Sequence, residues 1–250
     1  PRFTLTEVYR IFNIKTPVMP LPLWCYIEPT TKCNYDCITC SRKSLSPLRI
    51  NKDLSIENFK YILKEIPTLR RIHLQGLGEP LLCRDIWKIA AYAKSKNILL
   101  STTINGSLIT PNNADKILRS FYLITISIDS LEEKNYNSIR RRGNFQKVIE
   151  NLKLLIKRNK ELNSISKINL NMVVSHKNIH ELENYLKFCL KLGVNCGAAS
   201  VENWYIPLQK EYKNELEFIN EYKKVYDKFR LITSKYSKFF KIKGLTLTIG

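Results

Sequence analysis

The sequence predicts an α/β protein whose sheet is parallel. Two observations lead there. Short β-branched runs alternate with amphipathic stretches of ten or more residues, and about six such units fit before residue 235. That alternation calls for right-handed crossovers between parallel strands. Second, the residues best suited to chemistry fall just after the strand-like runs, where parallel α/β barrels gather their active loops.

Residues 23–28 form a short apolar run that leads into a cysteine-bearing loop. Over residues 54–66, Ile56, Phe59, Ile62, Leu63 and Ile66 recur at helical spacing behind Ser55 as a cap. Residues 71–75 read as a strand, 76–80 as a turn and 85–96 as a helix. A strand over 98–104 ends at Asn105-Gly106, and Pro111 opens a helix over 112–120. Residues 122–128 are rich in β-branched side chains and end at Asp129. The pattern then repeats. Asn144 caps a long helix marked by Phe145, Val148, Ile149, Leu152, Leu155 and Ile156, and 167–174 is a strand. Leu182, Leu186, Cys189 and Leu190 mark a helix stopped by Gly193. A strand over 194–202, a long helix over 211–234 and a strand over 240–249 complete the chain. Residues 1–20 are expected to be a lead-in, 21–235 the core and 236–250 the start of a further, truncated segment.

Hydrophobic residues make up 44% of the chain and charged residues 25%, an ordinary globular balance. No apolar run reaches the ~18–20 residues a bilayer span needs. The first residues lack the pattern of a secretory signal, so a cytoplasmic protein is expected. Seven cysteines in a reducing compartment point to metal before disulfides. A net charge of +19 attracts polyanions. The cations are mostly Lys, however, spread among many Ile and Asn, a pattern that composition or a hot habitat explains as readily as a binding face. Only Arg140-Arg141-Arg142 rises above this background.

Cys33, Cys37 and Cys40 are spaced C-x3-C-x2-C within one loop. Three such thiolates can hold three irons of a four-iron cluster and leave the fourth iron open. A zinc site wants a fourth ligand at recognisable spacing, and His73, His176 and His180 lie far along the chain. The cysteine loop, the Gly76-Leu77-Gly78-Glu79-Pro80 turn, Asn105 and Asp129 follow four successive strands, so the fold brings them together. Singly each has a plain explanation, as a common turn or a helix cap. Of the other cysteines, Cys189 sits on a core face, Cys25 and Cys196 lie in strands as packing residues, and Cys83 follows the turn as a candidate neighbour of substrate. His73 reads as structural.

Taken in order, these segments resemble the motifs of the radical S-adenosylmethionine (SAM) superfamily. Glu28-Pro29-Thr30-Thr31-Lys32-Cys33-Asn34 is similar to its cluster lead-in, and Gln75-Gly76-Leu77-Gly78-Glu79-Pro80-Leu81-Leu82 to its Gly-Gly-Glu turn. Thr102-Thr103-Ile104-Asn105-Gly106 resembles its ribose motif, Ile126-Ser127-Ile128-Asp129-Ser130 its strand-four signature, and Tyr136 to Arg140 with Gly143-Asn144-Phe145 the segment that follows. The resemblance implies a partial (β/α)6 TIM-type barrel over about residues 24–202. It implies a 4Fe-4S cluster on Cys33, Cys37 and Cys40, and SAM cleaved to a 5′-deoxyadenosyl radical that abstracts hydrogen from a substrate. For SAM it implies Thr39 and Pro80 beside the cofactor, Gly78 at a close backbone approach, and Glu79 as an acceptor for the methionine amino group. Asn105 and Asp129 are implied at the ribose, and Ser127 and Arg140 at the methionine carboxylate. Two positions depart from the pattern. Thr39 replaces the usual aromatic residue, and Leu77 the first glycine of the commonest turn.

The details look like the branch with a SPASM or twitch extension. That likeness implies a peptide or small-molecule substrate, a flavodoxin- or ferredoxin-type electron donor, and auxiliary Fe-S clusters in a cysteine-rich extension beyond residue 250. A tRNA- or nucleotide-modifying radical SAM enzyme is the rival enzyme reading. A non-catalytic cluster- or zinc-containing nucleic-acid-binding protein is the rival from another class.

Overall fold

Seven short strands pair in chain order, all parallel. They are β1 (Trp24–Ile27), β2 (Arg71–Leu74), β3 (Leu99–Ile104), β4 (Leu123–Ser127), β5 (Lys167–Val174), β6 (Asn195–Ser200) and β7 (Leu247–Ile249). The structure is a computed structural model and describes residues 21–200 and 215–249. The helices are α1 (Ile56–Glu65), α2 (Ile86–Ser95), α3 (Pro111–Ser120), α4 (Glu133–Ile139), α5 (Phe145–Glu161), α6 (Leu182–Leu192) and α7 (Glu215–Ile242). The result is a half-barrel, open between β1 and β7.

Period-two alternation decides which face the helices cover. In β5, Ile168, Leu170, Met172 and Val174 are buried, while Lys167, Asn169, Asn171 and Val173 are not. Register carries the apolar rows across the sheet, as in Ile104–Ile126–Leu170–Cys196. The opposite face is polar. One row there runs Thr103–Thr125–Asn169–Asn195, and the next runs Ser127–Asn171–Gly197–Thr248.

Local chemistry starts and stops the helices where the sequence predicts. Ser55 Oγ accepts from the Asn58 amide at 3.1 Å, and Asn144 Oδ1 accepts from the Lys147 amide at 3.0 Å. Pro111 opens α3 behind a Thr110–Asn113 capping box. Gly193 ends α6 with φ at +68°. Glu183 on α6 binds α7, accepting from Tyr236 Oη at 2.8 Å beside Lys187 and Lys235.

One expectation is corrected. Residues 240–249 are not one strand: α7 runs to Ile242, and only Leu247–Ile249 is extended. Val225, Phe229, Tyr236 and Phe240 are buried along one helical stripe, so the β-favouring residues at the end of α7 serve a helix face. Residues 236–242 therefore continue α7, and 247–249 add a seventh strand to the same sheet. The structure also adds α4, where the sequence reading carried only a motif. The lead-in 1–20, positions 201–202 of the sixth strand, residues 211–214 of the last helix and residue 250 lie outside the described residues. Among those described, no helix is long and apolar enough to cross a membrane.

Leu170 is fully buried in the middle of the sheet. Leu170→Ala should lower the unfolding free energy by about 2–5 kcal/mol, measured by urea denaturation.

Candidate active site

The cysteine loop is fastened along its whole length. Before Cys33, Thr30 Oγ1 donates to Asp53 Oδ1 at 2.7 Å, the Thr31 amide donates to Lys52 O at 2.9 Å, and Lys32 Nζ meets Asp53 Oδ2 at 2.6 Å. Around Cys37, the Asp36 and Ile38 amides donate to Arg141 O and Ile139 O, each at 2.9 Å. The Tyr35 amide donates to Cys33 Sγ at 3.4 Å, and the Cys40 amide to Cys37 O at 3.2 Å. All three cysteines are half-buried and none is in a disulfide. Burial raises the Cys33 thiol and pushes Cys37 up to about 12, with Arg140 as the main opposing influence on Cys37. Ligation must therefore displace a proton from Cys33 and from Cys37.

The three sulfurs lie near one another: Cys33 and Cys40 both act to raise the Cys37 thiol. Three soft donors on one loop, with an amide N–H on one sulfur, fit an iron–sulfur cluster.

Glu79 is 2% exposed and joins three loops. Its amide donates to Lys32 O at 2.7 Å, and its Oε2 accepts from the Asn105 amide at 2.7 Å. Asn105 in turn donates from Nδ2 to Asn34 Oδ1 at 2.8 Å and accepts from the Ser107 amide and hydroxyl. Burial pushes the Glu79 carboxyl up to about 7, against its bonds to the Asn105 and Leu81 amides. Pro80 is buried as the first residue of a 3₁₀ turn over Pro80–Leu82. Gly78 lies against the carbonyls of Thr30 and Lys32, so the close approach it permits is to the cysteine lead-in. Gly76 leaves room for Glu28, whose Oε1 accepts from the Leu77 amide at 2.7 Å.

Asp129 and Arg140 form a buried ion pair, with Arg140 Nη2 at 2.8 Å from Asp129 Oδ2. Asp129 Oδ1 accepts from the Val173 amide at 2.9 Å, which fixes the carboxylate to β5; it caps no helix. Ser127 faces a chamber of about 730 Å³ on the open side of the sheet. Its wall includes Arg71, His73, Thr103, Thr125, Asn169 and Asn171, and no carboxylate among the described residues. His73 is a wall residue held by Ser101 Oγ at 2.7 Å and Gln75 Oε1 at 2.8 Å, and burial lowers its pKa. Thr39 is half-buried in the cysteine loop. The fold thus gathers the cysteines, Gly78, Glu79, Asn105, Asp129 and Arg140 around one loop, with Ser127 on the chamber side.

Cys83 does not join them. It is buried, with Sγ at 3.7 Å from Leu54 O, on the helix side of the sheet. Cys189 and Cys196 are buried against each other, and Cys25 is half-buried in β1. Sequence reasoning missed Asn34 and Ser107 as partners of Asn105, and Asn171 with Gly197 in the chamber wall. A β-carbon at Gly197 would sit 2.5 Å from Asn171 Oδ1. Period-two reading of β5 could have found Asn171.

A family model described as the radical SAM superfamily matches residues 27–189. The mycofactocin maturase MftC of Mycolicibacterium smegmatis is 26% identical over 168 residues, 66% of this chain and 41% of that protein. An S-adenosylmethionine-dependent nucleotide dehydratase of Selenomonas ruminantium is 31% identical over 159 residues, 61% of this chain and 56% of that protein. Among solved structures, Streptococcus suis SuiB bound to precursor peptide SuiA shares the fold with a TM-score of 0.71 at 17% identity, over 97% of this chain and 51% of that one. The chain thus spans about half the length of these three proteins.

Raising the Glu79 pKa from 4.5 to about 7 adds stability that is fully present below 4.5 and is lost as pH rises through 7. Between pH 4.5 and 8 the iron-free protein should lose roughly 3 kcal/mol more unfolding free energy than Glu79→Gln, read by urea denaturation at each pH.

Proposed function

This chain belongs to the radical SAM superfamily, and from that premise we propose an enzyme that binds a 4Fe-4S cluster on Cys33, Cys37 and Cys40 and SAM beside it. The observation that carries the reading is the cysteine loop: three free thiols on one loop, pinned by backbone hydrogen bonds at the C-terminal end of a parallel sheet. When bound, the cluster and SAM supply a 5′-deoxyadenosyl radical, which takes a hydrogen atom from the substrate.

The chain's own residues hold, orient and shield. Glu79 and Asn105 set the loops on which the cofactor rests, and the remaining Asn105 Nδ2 hydrogen is free to meet a ribose hydroxyl. Ser127 offers a hydroxyl from the chamber side, and Arg140, with Asp129, places a cation near Cys37. Thr39 in the cysteine loop and Pro80 in the turn after Gly78 stand on the two loops proposed to flank the cofactor. Thr103, Ser127, Asn169 and Asn171 in the chamber wall offer hydrogen bonds beside Arg71, with no competing acid among the described residues.

A peptide is the favoured substrate. The chamber wall matches peptide amides in donors and acceptors, and the names of the MftC and SuiB relatives point the same way. The nucleotide dehydratase relative keeps a nucleotide as the second reading. An external electron donor of flavodoxin or ferredoxin type completes the reaction.

Anaerobic reconstitution tests this. The expected protein is brown, holds about four irons, and on reduction with dithionite converts SAM to 5′-deoxyadenosine, while Cys37→Ala makes none. A colourless protein that takes up zinc would refute the reading. Deuterium transfer to 5′-deoxyadenosine from a labelled peptide, and not from labelled GTP, would separate the two substrate classes.

A further inference from the structure

We infer that Arg140 is a positioning residue for the Cys37 corner of the cluster: locked by Asp129 and walled by Tyr35 and Tyr136, its cation sets the cluster's reduction potential before SAM binds. The inference rests on the cluster reading above.

The geometry singles out this corner. Arg140 is 8% exposed at the end of α4, and its own amide bonds Tyr136 O at 2.7 Å. The carbonyls on either side of it, Ile139 O and Arg141 O, receive the two amides that flank Cys37. Cys37 and Arg140 are thus fixed to each other through the backbone. Asp129, in turn fixed to the Val173 amide, holds the guanidinium at one end. Gly143 lets the wall close: a β-carbon there would lie 2.6 Å from Arg140 O, 3.1 Å from the Tyr136 ring and 3.2 Å from the Tyr35 ring.

Polar groups line the inside of this pocket. Arg140 Nε is buried without a hydrogen-bond partner, the Tyr35 and Tyr136 hydroxyls are buried beside each other and the guanidinium, and Asp129 Oδ2 meets Arg140 at 2.8 Å. Leaving a buried donor unpaired costs stability, so the free N–H of this cation beside a proposed iron ligand points to use. Burial works against the Arg140 charge, and Asp129 is the main group offsetting it. A fixed cation in a dry setting stabilises the reduced, more negative cluster and raises its potential.

The test is potentiometric EPR titration of reconstituted protein without SAM, with iron counted for each variant. Arg140→Gln should keep about four irons and shift the midpoint to a more negative value, and Arg140→Lys should restore it. A guanidinium that served only a SAM carboxylate would leave the SAM-free midpoint unmoved, and an unmoved midpoint in Arg140→Gln overturns the inference. Should that variant lose iron, Asp129→Asn carries the test: removing this anion should raise the midpoint, and an unchanged or lower value overturns the inference. A parent protein without a four-iron cluster would instead overturn the function proposed above, before any potential is read.

Discussion

The carboxylate of Glu79 holds the site together from inside. Glu79 joins the loops after β1, β2 and β3: its backbone amide donates to the Lys32 carbonyl, and its carboxylate accepts from the Asn105 amide. Burying a carboxylate is costly unless hydrogen bonds repay it, and here two backbone amides do so in part. The connection after β1 is long, running from residue 28 to residue 55, and carries no helix longer than one 3₁₀ turn to hold it. The mutual geometry of the three loops comes from this group and from the Asn105–Asn34 bond that continues it. Gly78 adds a steric condition, because a side chain there would push the turn off the cysteine lead-in.

The open chamber follows from the same alternation that builds the core. Closed barrels fill their interior with branched apolar side chains. Here the interior positions carry His73, Ser101, Thr125 and Asn169, whose polar groups bond along the wall. Such a face cannot collapse into a dry core, and the half-barrel leaves it as space. Sheet packing and a polar chamber are therefore two faces of one pattern.

Most of this was legible in the chain. Strand and helix order, the caps at Ser55 and Asn144, the stop at Gly193 and the convergence of the cysteines with Glu79, Asn105 and Asp129 follow from periodicity and turn chemistry. What was not legible has physical causes. The last helix carries β-favouring residues to Ile242, and only the buried stripe ending at Phe240 tells helix from strand. Gly78 was expected to face a cofactor, yet its constraint is a contact with Thr30 and Lys32, which no local pattern encodes. Cys83 stands beside a functional turn in sequence, but the turn points it to the helix side. The Arg140–Asp129 pair bridges residues from two elements, and its orientation is set by a third, β5.

Strands that pair strictly in chain order also have a temporal meaning. Every hydrogen bond named here that shapes the cysteine loop comes from residues up to Arg141. A chain growing from its N-terminus therefore contains every one of those partners before β5, β6 and β7 are made. The Asp129 bond to Val173 needs β5. Chain order thus supplies the partners of the thiol loop first and the anchor of its neighbouring charge afterwards.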